Sequence, residues 1–400
     1  MRIDEARALE QQCMLNLYPP IRMPMVIARG EGARLWDTEG NEYLDFISGG
    51  RAVTGVGHCH PKVVAAIREQ AGTLLHVSND FYTEPQLRLA ARLSQLTGGG
   101  RCFLCNSGAE ANEAAIKLAR KHGHETGGPD KYEIVCAEKS FHGRTLATIT
   151  ATGQPKYQHG FEPLPEGFRY VPFNDVAALR RAVTERTCAV LLEPVLGESG
   201  VYPATEEFLN TAREQCDAVG AALVLDEVQT GVGRTGRMFA YEHYGLTPDI
   251  ITLAKGLAGG IPIGAMIARE PVAAAFAPGD HASTFGGSAL PAAAALAVLD
   301  VIEEEGLLAR ADTLGRRLVA GLEALREKHA LITDIRGRGL MVAVDLAEPV
   351  AGRVRSECAA RGLFVITVGD SMLRLLPPLV LTDEQADRGL HLLGEAIGSM

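Results

Sequence analysis

The sequence predicts an α/β protein, with a large unit built on a mostly parallel sheet and a smaller α+β unit beside it. Short apolar runs such as Ala222-Leu223-Val224-Leu225 and Ile250-Ile251-Thr252-Leu253-Ala254 read as strands buried on both faces, the pattern of a parallel sheet. Phe103-Leu104-Cys105 leads through a small-residue turn into an amphipathic helix, a strand-to-helix step of the same architecture. The length of 400 residues leaves room for a large core and two domains.

Composition narrows the class. Hydrophobic residues make up 46% and charged residues 22%, as in an ordinary globular chain rather than a disordered or fibrous one. The formal net charge of −10 argues against nucleic acid as a partner, because a phosphate backbone selects basic surfaces. A local arginine cluster can still attract an anionic substrate. No apolar run approaches about 20 residues, so no membrane contact is expected. The opening stretch mixes acids with bases and does not read as a secretory signal. The eight scattered cysteines read as reduced thiols, which makes the expected location cytoplasmic. Cys102 and Cys105 form a lone CxxC within a strand pattern, where packing explains them better than metal chemistry, and no metal site is expected.

Taken in order, residues 1–20 predict a helix that ends at a Pro19-Pro20 break. Residues 25–49 alternate short strands with Gly turns, as in a small antiparallel sheet. Pro61 suits the first turn of a helix, so His58, Cys59 and His60 read as the approach to it rather than as metal ligands. Ser107-Gly108-Ala109 opens the next helix. Alone it is an N-cap, but the same N–H groups can also receive an anion. The strand Glu133-Ile134-Val135-Cys136-Ala137 exits into Phe141-His142-Gly143-Arg144-Thr145. There Phe141 reads as core and Arg144 as surface charge unless something else claims them. Ala189-Val190-Leu191-Leu192 is a further strand, running into Glu193-Pro194. Residues 281–287 read as a Gly turn carrying Thr284. From about Pro291 an Ala/Leu-rich helix leads to the last unit: a helix through Arg326, strands across 335–346, a helix over 351–361, and strands around 364–368 and 373–376.

Ligands of parallel sheets bind beyond the carboxyl ends of the strands. The run ending at Leu225 delivers Asp226 to that edge, and the run ending at Ala254 delivers Lys255. A salt bridge is the plain reading of such a pair. Pyridoxal phosphate offers another, since it needs an amine for a Schiff base and an acid to keep its ring nitrogen protonated as an electron sink. Gly256 leaves room for a cofactor beside the backbone.

Leu225-Asp226-Glu227-Val228-Gln229-Thr230-Gly231, Ala254-Lys255-Gly256, the stretch Asn106-Ser107-Gly108-Ala109-Glu110-Ala111-Asn112 and Gly57-His58-Cys59-His60-Pro61 together resemble the class III, fold type I, pyridoxal-phosphate aminotransferases, in their acetylornithine and succinylornithine branch. The resemblance spans about residues 15–395. It implies a seven-stranded sheet in a large domain over 56–295, and a small domain made from both chain ends, 1–55 and 296–400. It also implies that Lys255 carries the cofactor and moves the proton, and that Asp226 faces the ring nitrogen. Ser107, Gly108 and Ala109 would form the phosphate cup, Phe141 would stack on the ring, and Gln229 would bond the ring oxygen. Thr284 would reach the phosphate of a neighbouring subunit, making a homodimer with shared sites the working unit. Arg144 would hold the substrate α-carboxylate, a pairing that suits a planar guanidinium. Glu198 would pair with Arg374 until a diacid acceptor needs that arginine, and a lone arginine in an apolar strand does require a partner.

The implied reaction is transamination of an ω-amino group, with N-acetylornithine as donor and 2-oxoglutarate as acceptor. Ornithine, 4-aminobutyrate, succinylornithine, a lysine-pathway intermediate, and an aminomutase or epimerase reaction are the alternatives. Three departures bear on the substrate. Leu196 and Ser199 replace the family's usual Gln and Gly, and Ser288-Ala289 replaces Asn-Pro. Arg51 takes a position that the family fills with an aliphatic or aromatic residue near the substrate entrance. It either grips a carboxylate of donor or acceptor, or it faces solvent or neutralises Glu198.

Overall fold

The computed structural model describes residues 1–18 and 22–400, so the expected Pro19-Pro20 break lies outside the described residues. The first helix runs Ile3–Cys13. The dominant feature is a seven-stranded sheet in the order Arg101–Cys105, Gly264–Ala268, Ile250–Leu253, Ala222–Asp226, Thr187–Leu192, Glu133–Ala137, Phe168–Val171. Gly264–Ala268 alone runs antiparallel to both of its neighbours. Five strands of this sheet, Ala222–Asp226, Thr187–Leu192, Ile250–Leu253, Glu133–Ala137 and Gly264–Ala268, are buried along their whole length. That is why they read as apolar runs rather than as alternating strands.

The helix Gly108–Gly127 packs on the sheet through Ala111, Ala114, Ala115, Leu118 and Ala119. Its start is fixed by Ser107, whose Oγ accepts from the Glu110 N–H at 3.2 Å. Gly108 sits against Val228: a Cβ there would lie 2.7 Å from Val228 Cγ1, so only glycine lets the helix start dock on the loop after Asp226.

Two four-stranded sheets flank this core, besides a two-stranded one pairing Val195–Leu196 with Tyr202–Pro203. One joins Ile27–Glu31, Arg34–Asp37 and Glu42–Asp45 antiparallel, and takes Leu363–Phe364 as a parallel fourth strand. The other orders Ile332–Arg338, Met341–Leu346, Met372–Leu375 and Ile366–Thr367. The strand region expected across 335–346 is therefore a tight hairpin. It turns at Gly339, where φ is +54° and a Cβ would meet the Thr235 backbone at 2.5 Å. The strand expected around 364–368 divides between the two small sheets, and so ties the N-terminal sheet to the C-terminal one. The Ala/Leu-rich helix spans Ala289–Glu304; Gly306, with φ +62°, separates it from Leu307–Arg326. The helices expected at Pro61 and over 351–361 are Pro61–Thr73 and Ala351–Ala360.

No described helix is long and apolar enough to cross a membrane. All eight cysteines are free; burial pushes the Cys102 and Cys105 thiols up to about 12, which leaves them unreactive. Among the described residues no cluster of His, Cys, Asp or Glu is arranged to hold a metal. His58 instead bonds Asp45 at 2.6 Å and His60 bonds Glu305 at 3.0 Å.

Candidate active site

A cavity of about 400 Å³ opens at the carboxyl ends of the central strands. Asp226 and Lys255 both line it, each one step beyond a buried run on adjacent parallel strands. The parallel register is what delivers an acid and an amine to one edge.

Asp226 is 4% exposed and held from three directions. Its Oδ2 accepts from Asn112 Nδ2 at 2.7 Å and lies 2.8 Å from His142 Nδ1, while its Oδ1 accepts from the Val228 N–H at 3.0 Å. Asn112 is itself fixed. It donates to the His142 carbonyl at 2.8 Å and accepts from Thr252 Oγ1 at 2.7 Å. The helix Gly108–Gly127, the loop after Glu133–Ala137 and the strand Ile250–Leu253 thus set one carboxylate. This network is buried, so each missing partner is costly.

Glu193 lies close by, wholly inside the protein. It accepts from the Phe141 N–H at 2.8 Å and the Gly197 N–H at 3.0 Å. Burial pushes its carboxyl up to about 7; His142 opposes the rise and Asp226 adds to it. The sequence reading singled out none of Asn112, His142, Glu193 or Thr252 as a site residue. Asn112 alone carried a usable signal, as a polar residue on the apolar face of its helix.

Lys255 sits at φ +42°, a conformation that turns the chain sharply after the strand. Its Nζ has no hydrogen bond or ion pair among the described residues. Burial lowers its pKa; Glu198, Asp226 and Glu193 resist that shift, and Arg374 adds to it. A depressed ammonium is easier to deprotonate, which suits an amine that must act as a nucleophile or base.

The opposite wall is ionic. Arg374, 1% exposed in the strand Met372–Leu375, lies 3.1 Å from Glu198 Oε1 and donates to the Gly197 carbonyl. Arg51 Nε lies 3.6 Å from the same Glu198 oxygen, and Gln229 Nε2 lies 3.4 Å from it. Burial pushes the Glu198 carboxyl up, but Arg374, Lys255 and Arg51 together hold it down at about 2. The expected Glu198–Arg374 pair is therefore present, with Arg51 as a third member.

Ser107, Gly108, Ala109, Phe141, Arg144 and Gln229 all line the same cavity. Arg144 is exposed and its guanidinium lies over the Tyr157 ring, 4.2 Å from the centroid; Phe141 meets Tyr157 edge-on at 5.8 Å. Thr284 does not line the cavity of its own chain. It is exposed on the loop that precedes Ala289–Glu304.

The donor set fits pyridoxal phosphate. The cavity provides an unpaired amine, an acid set deep in the wall and a helix N-terminus with free N–H groups. It also contains the buried Gln229 Oε1, which has no partner among the described residues and so lacks the hydrogen bond a buried amide requires.

The family described as aminotransferase class-III matches residues 18–397. An acetylornithine aminotransferase of Caldanaerobacter subterraneus subsp. tengcongensis is 48% identical, with 98% of each chain covered. The crystal structure of acetylornithine aminotransferase from Elizabethkingia anophelis superposes with a TM-score of 0.89 at 35% identity, covering 100% of both chains. The ornithine aminotransferase of Toxoplasma gondii ME49 gives 0.95 at 33% identity, covering 100% of this chain and 96% of the other.

Proposed function

Because the chain belongs to the class III aminotransferases, which are pyridoxal-phosphate transaminases, we propose that its amino donor is N-acetylornithine and its acceptor 2-oxoglutarate, with a semialdehyde and glutamate as products. The observation that carries this reading is the meeting of Lys255 and Asp226 with Arg144 and Glu198 in one cavity, Arg374 being buried against Glu198. The relatives' names favour the acylated donor over free ornithine.

When bound, the cofactor supplies an electron sink for the carbon that loses its proton. Lys255 would hold it covalently, and the same side-chain amine would move the proton at the donor carbon. Asp226, fixed by Asn112 and His142, keeps the ring nitrogen protonated. Ser107, Gly108 and Ala109 receive the phosphate at the positive end of their helix. Phe141 would lie against the ring and Gln229 would hold its oxygen, as the family resemblance implies. Arg144 takes the α-carboxylate. Glu198 masks Arg374 for the monocarboxylate end of the donor and releases it for the diacid acceptor. Glu198 keeps its charge down to about pH 2, so the masking holds throughout the working range.

The exposed Thr284 fits a homodimer in which each subunit completes its neighbour's phosphate site. The pairing of Leu363–Phe364 with Glu42–Asp45 supports one small domain from residues 1–55 and 296–400, against a large one over 56–295. A cytoplasmic location accords with eight free thiols.

A donor panel with 2-oxoglutarate, read as glutamate formed, tests the assignment. N-acetylornithine should give the highest kcat/KM among N-acetylornithine, ornithine and 4-aminobutyrate. A higher value for ornithine or 4-aminobutyrate replaces the donor. Absence of glutamate with every donor, alongside isomerisation of an amine, moves the enzyme to the aminomutase or epimerase class.

A further inference from the structure

The two arginines assigned to substrate carboxylates are held by different means. Arg374 is 1% exposed and bound to Glu198 and to the Gly197 carbonyl, so a ligand reaches it only by displacing a counter-charge. Arg144 is exposed, lines the cavity, and has no hydrogen bond or ion pair among the described residues. Rings hold it instead. Its guanidinium carbon lies 4.2 Å from the centroid of Tyr157 and 5.5 Å from that of Phe141. A ring face attracts a guanidinium without using its N–H groups, whereas a carboxylate would occupy them. The donors of Arg144 therefore stay open to a ligand while the side chain is held in place.

Tyr157 does not line the cavity and acts from behind it. It ends the short turn Pro155–Tyr157, and its half-buried ring meets Phe141 edge-on at 5.8 Å and 82°. The turn is fastened on both sides. Gln154 Nε2 donates to the Ser140 carbonyl at 2.9 Å, one residue before Phe141, and the Tyr157 N–H donates to the Gln154 carbonyl at 3.0 Å. Gln158 Nε2 donates to the Thr152 carbonyl at 2.9 Å. The backbone beneath Arg144 is fixed separately. Gly143 has φ +142°, and a Cβ there would lie 2.9 Å from Ala109 Cβ, so only glycine lets this loop close on the start of the helix Gly108–Gly127. With both backbones set, the long Arg144 side chain is the remaining freedom, and ordering it on binding would cost affinity. Contact with the Tyr157 ring removes that freedom in advance.

We infer that Tyr157 is a positioning residue, whose ring holds the Arg144 guanidinium ready to receive a substrate α-carboxylate. The inference rests on the transaminase reading above. It adds a residue outside the cavity that sets affinity for the carboxylate without touching the reacting atoms.

The test uses the holoenzyme and separates carboxylate-bearing reactants from a donor without that group. Tyr157→Leu should raise KM for 2-oxoglutarate and for N-acetylornithine roughly 3- to 30-fold, the range of a lost cation–ring contact, with kcat less affected. N-acetylputrescine, which keeps the ω-amine and the acyl group but lacks the α-carboxylate, should show an unchanged kcat/KM. Tyr157→Phe keeps the ring and should stay near wild type. In an Arg144→Gln background, Tyr157→Leu should change KM by less than about twofold, because the ring then has no guanidinium to hold. Equal losses with N-acetylornithine and N-acetylputrescine overturn the assignment, since Tyr157 would then act through Phe141 or the fold. An undiminished effect in the Arg144→Gln background overturns it too. Lys156 Nζ lies 4.8 Å from the same ring centroid, so Lys156→Ala is the charge control. A rise in KM equal to that of Tyr157→Leu would assign the effect to summed charge and overturn the clamp. Calorimetric titration with N-acetylnorvaline and with N-butylacetamide, its counterpart without the carboxylate, reads the clamp without turnover. Tyr157→Leu should weaken the first and leave the second unchanged. If no donor is turned over, the transaminase reading fails, and this titration still decides the role of Tyr157.

Discussion

Asp226 and Glu198 are both carboxylates on the wall of one cavity, and the protein treats them in opposite ways. Asp226 is closed in by an amide, an imidazole and a backbone N–H drawn from separate elements, and it is 4% exposed. Glu198 is 20% exposed at its side chain and is ringed by Arg374, Arg51 and the Gln229 amide. The first arrangement fixes an orientation: each bond removes a degree of freedom and none can be exchanged without breaking another. The second stores charge in side chains that can trade partners. A cofactor site needs the former and a site for two alternating substrates needs the latter, so the floor and the wall of the cavity are built from different interactions.

The sharpest way to break this contrast is at the floor. Lys255→Ala should lower kcat by about 10⁴-fold or more, since it removes both the covalent attachment and the proton carrier. Borohydride reduction followed by mass analysis should add the cofactor's mass to the wild-type peptide containing Lys255 and to none in the variant. Asp226→Asn keeps the shape and deletes the charge. It should cost roughly 10²- to 10³-fold in kcat, as for other preorganised electrostatic groups, with KM for the donor less affected. A change in KM alone would mean that Asp226 is structural.

The wall should respond in stability and substrate choice before it responds in rate. Glu198→Ala leaves the buried Arg374 without its carboxylate, a loss of about 3 kcal/mol for a broken buried pair, measurable by denaturant titration. The sign of its pH dependence follows from a depressed pKa. Glu198 contributes stability above its ordinary value of 4.5, and that contribution is lost as pH falls toward about 2. Wild type and variant should therefore converge in stability across that acid window and differ most above it.

Glu193 gives the smallest effect and the opposite sign. Its folded pKa is raised to about 7 from 4.5, so between those values the unfolded chain releases a proton that the folded one keeps. Stability then falls as pH rises through the window, and Glu193→Gln should flatten that slope in thermal melts. An unchanged slope would mean that Glu193 is ionised in the folded protein.

Lys255, Asp226 and the Ser107 helix start were legible because each lies at a discontinuity in the sequence, where an apolar run ends on a charge or a small-residue turn opens a helix; the Glu198–Arg374 pair came through the family resemblance, with Arg374 a lone charge inside an apolar strand. His142 and Thr252 were not, because each sits inside an ordinary loop or strand and acquires its role from a neighbour 84 to 140 positions away. Gly337 and Gly339 mark the turn within 335–346, but the close approach of Gly339 to the Thr235 backbone, about 100 residues away, is set by the fold. Arg51 was visible as a departure, and the fold sets its Nε 3.6 Å from Glu198.

The sequence by itself determined the strand and helix types, the edge of the sheet that carries chemistry and the acid and amine that stand there, because burial on two faces and turn chemistry are local properties of the chain. Tertiary structure alone decided which side chains orient the acid, which arginine shares Glu198, and that the two chain ends meet in one small sheet. Those depend on partners brought together through parallel crossovers, and the energy of a buried charge or amide is set by what surrounds it in space.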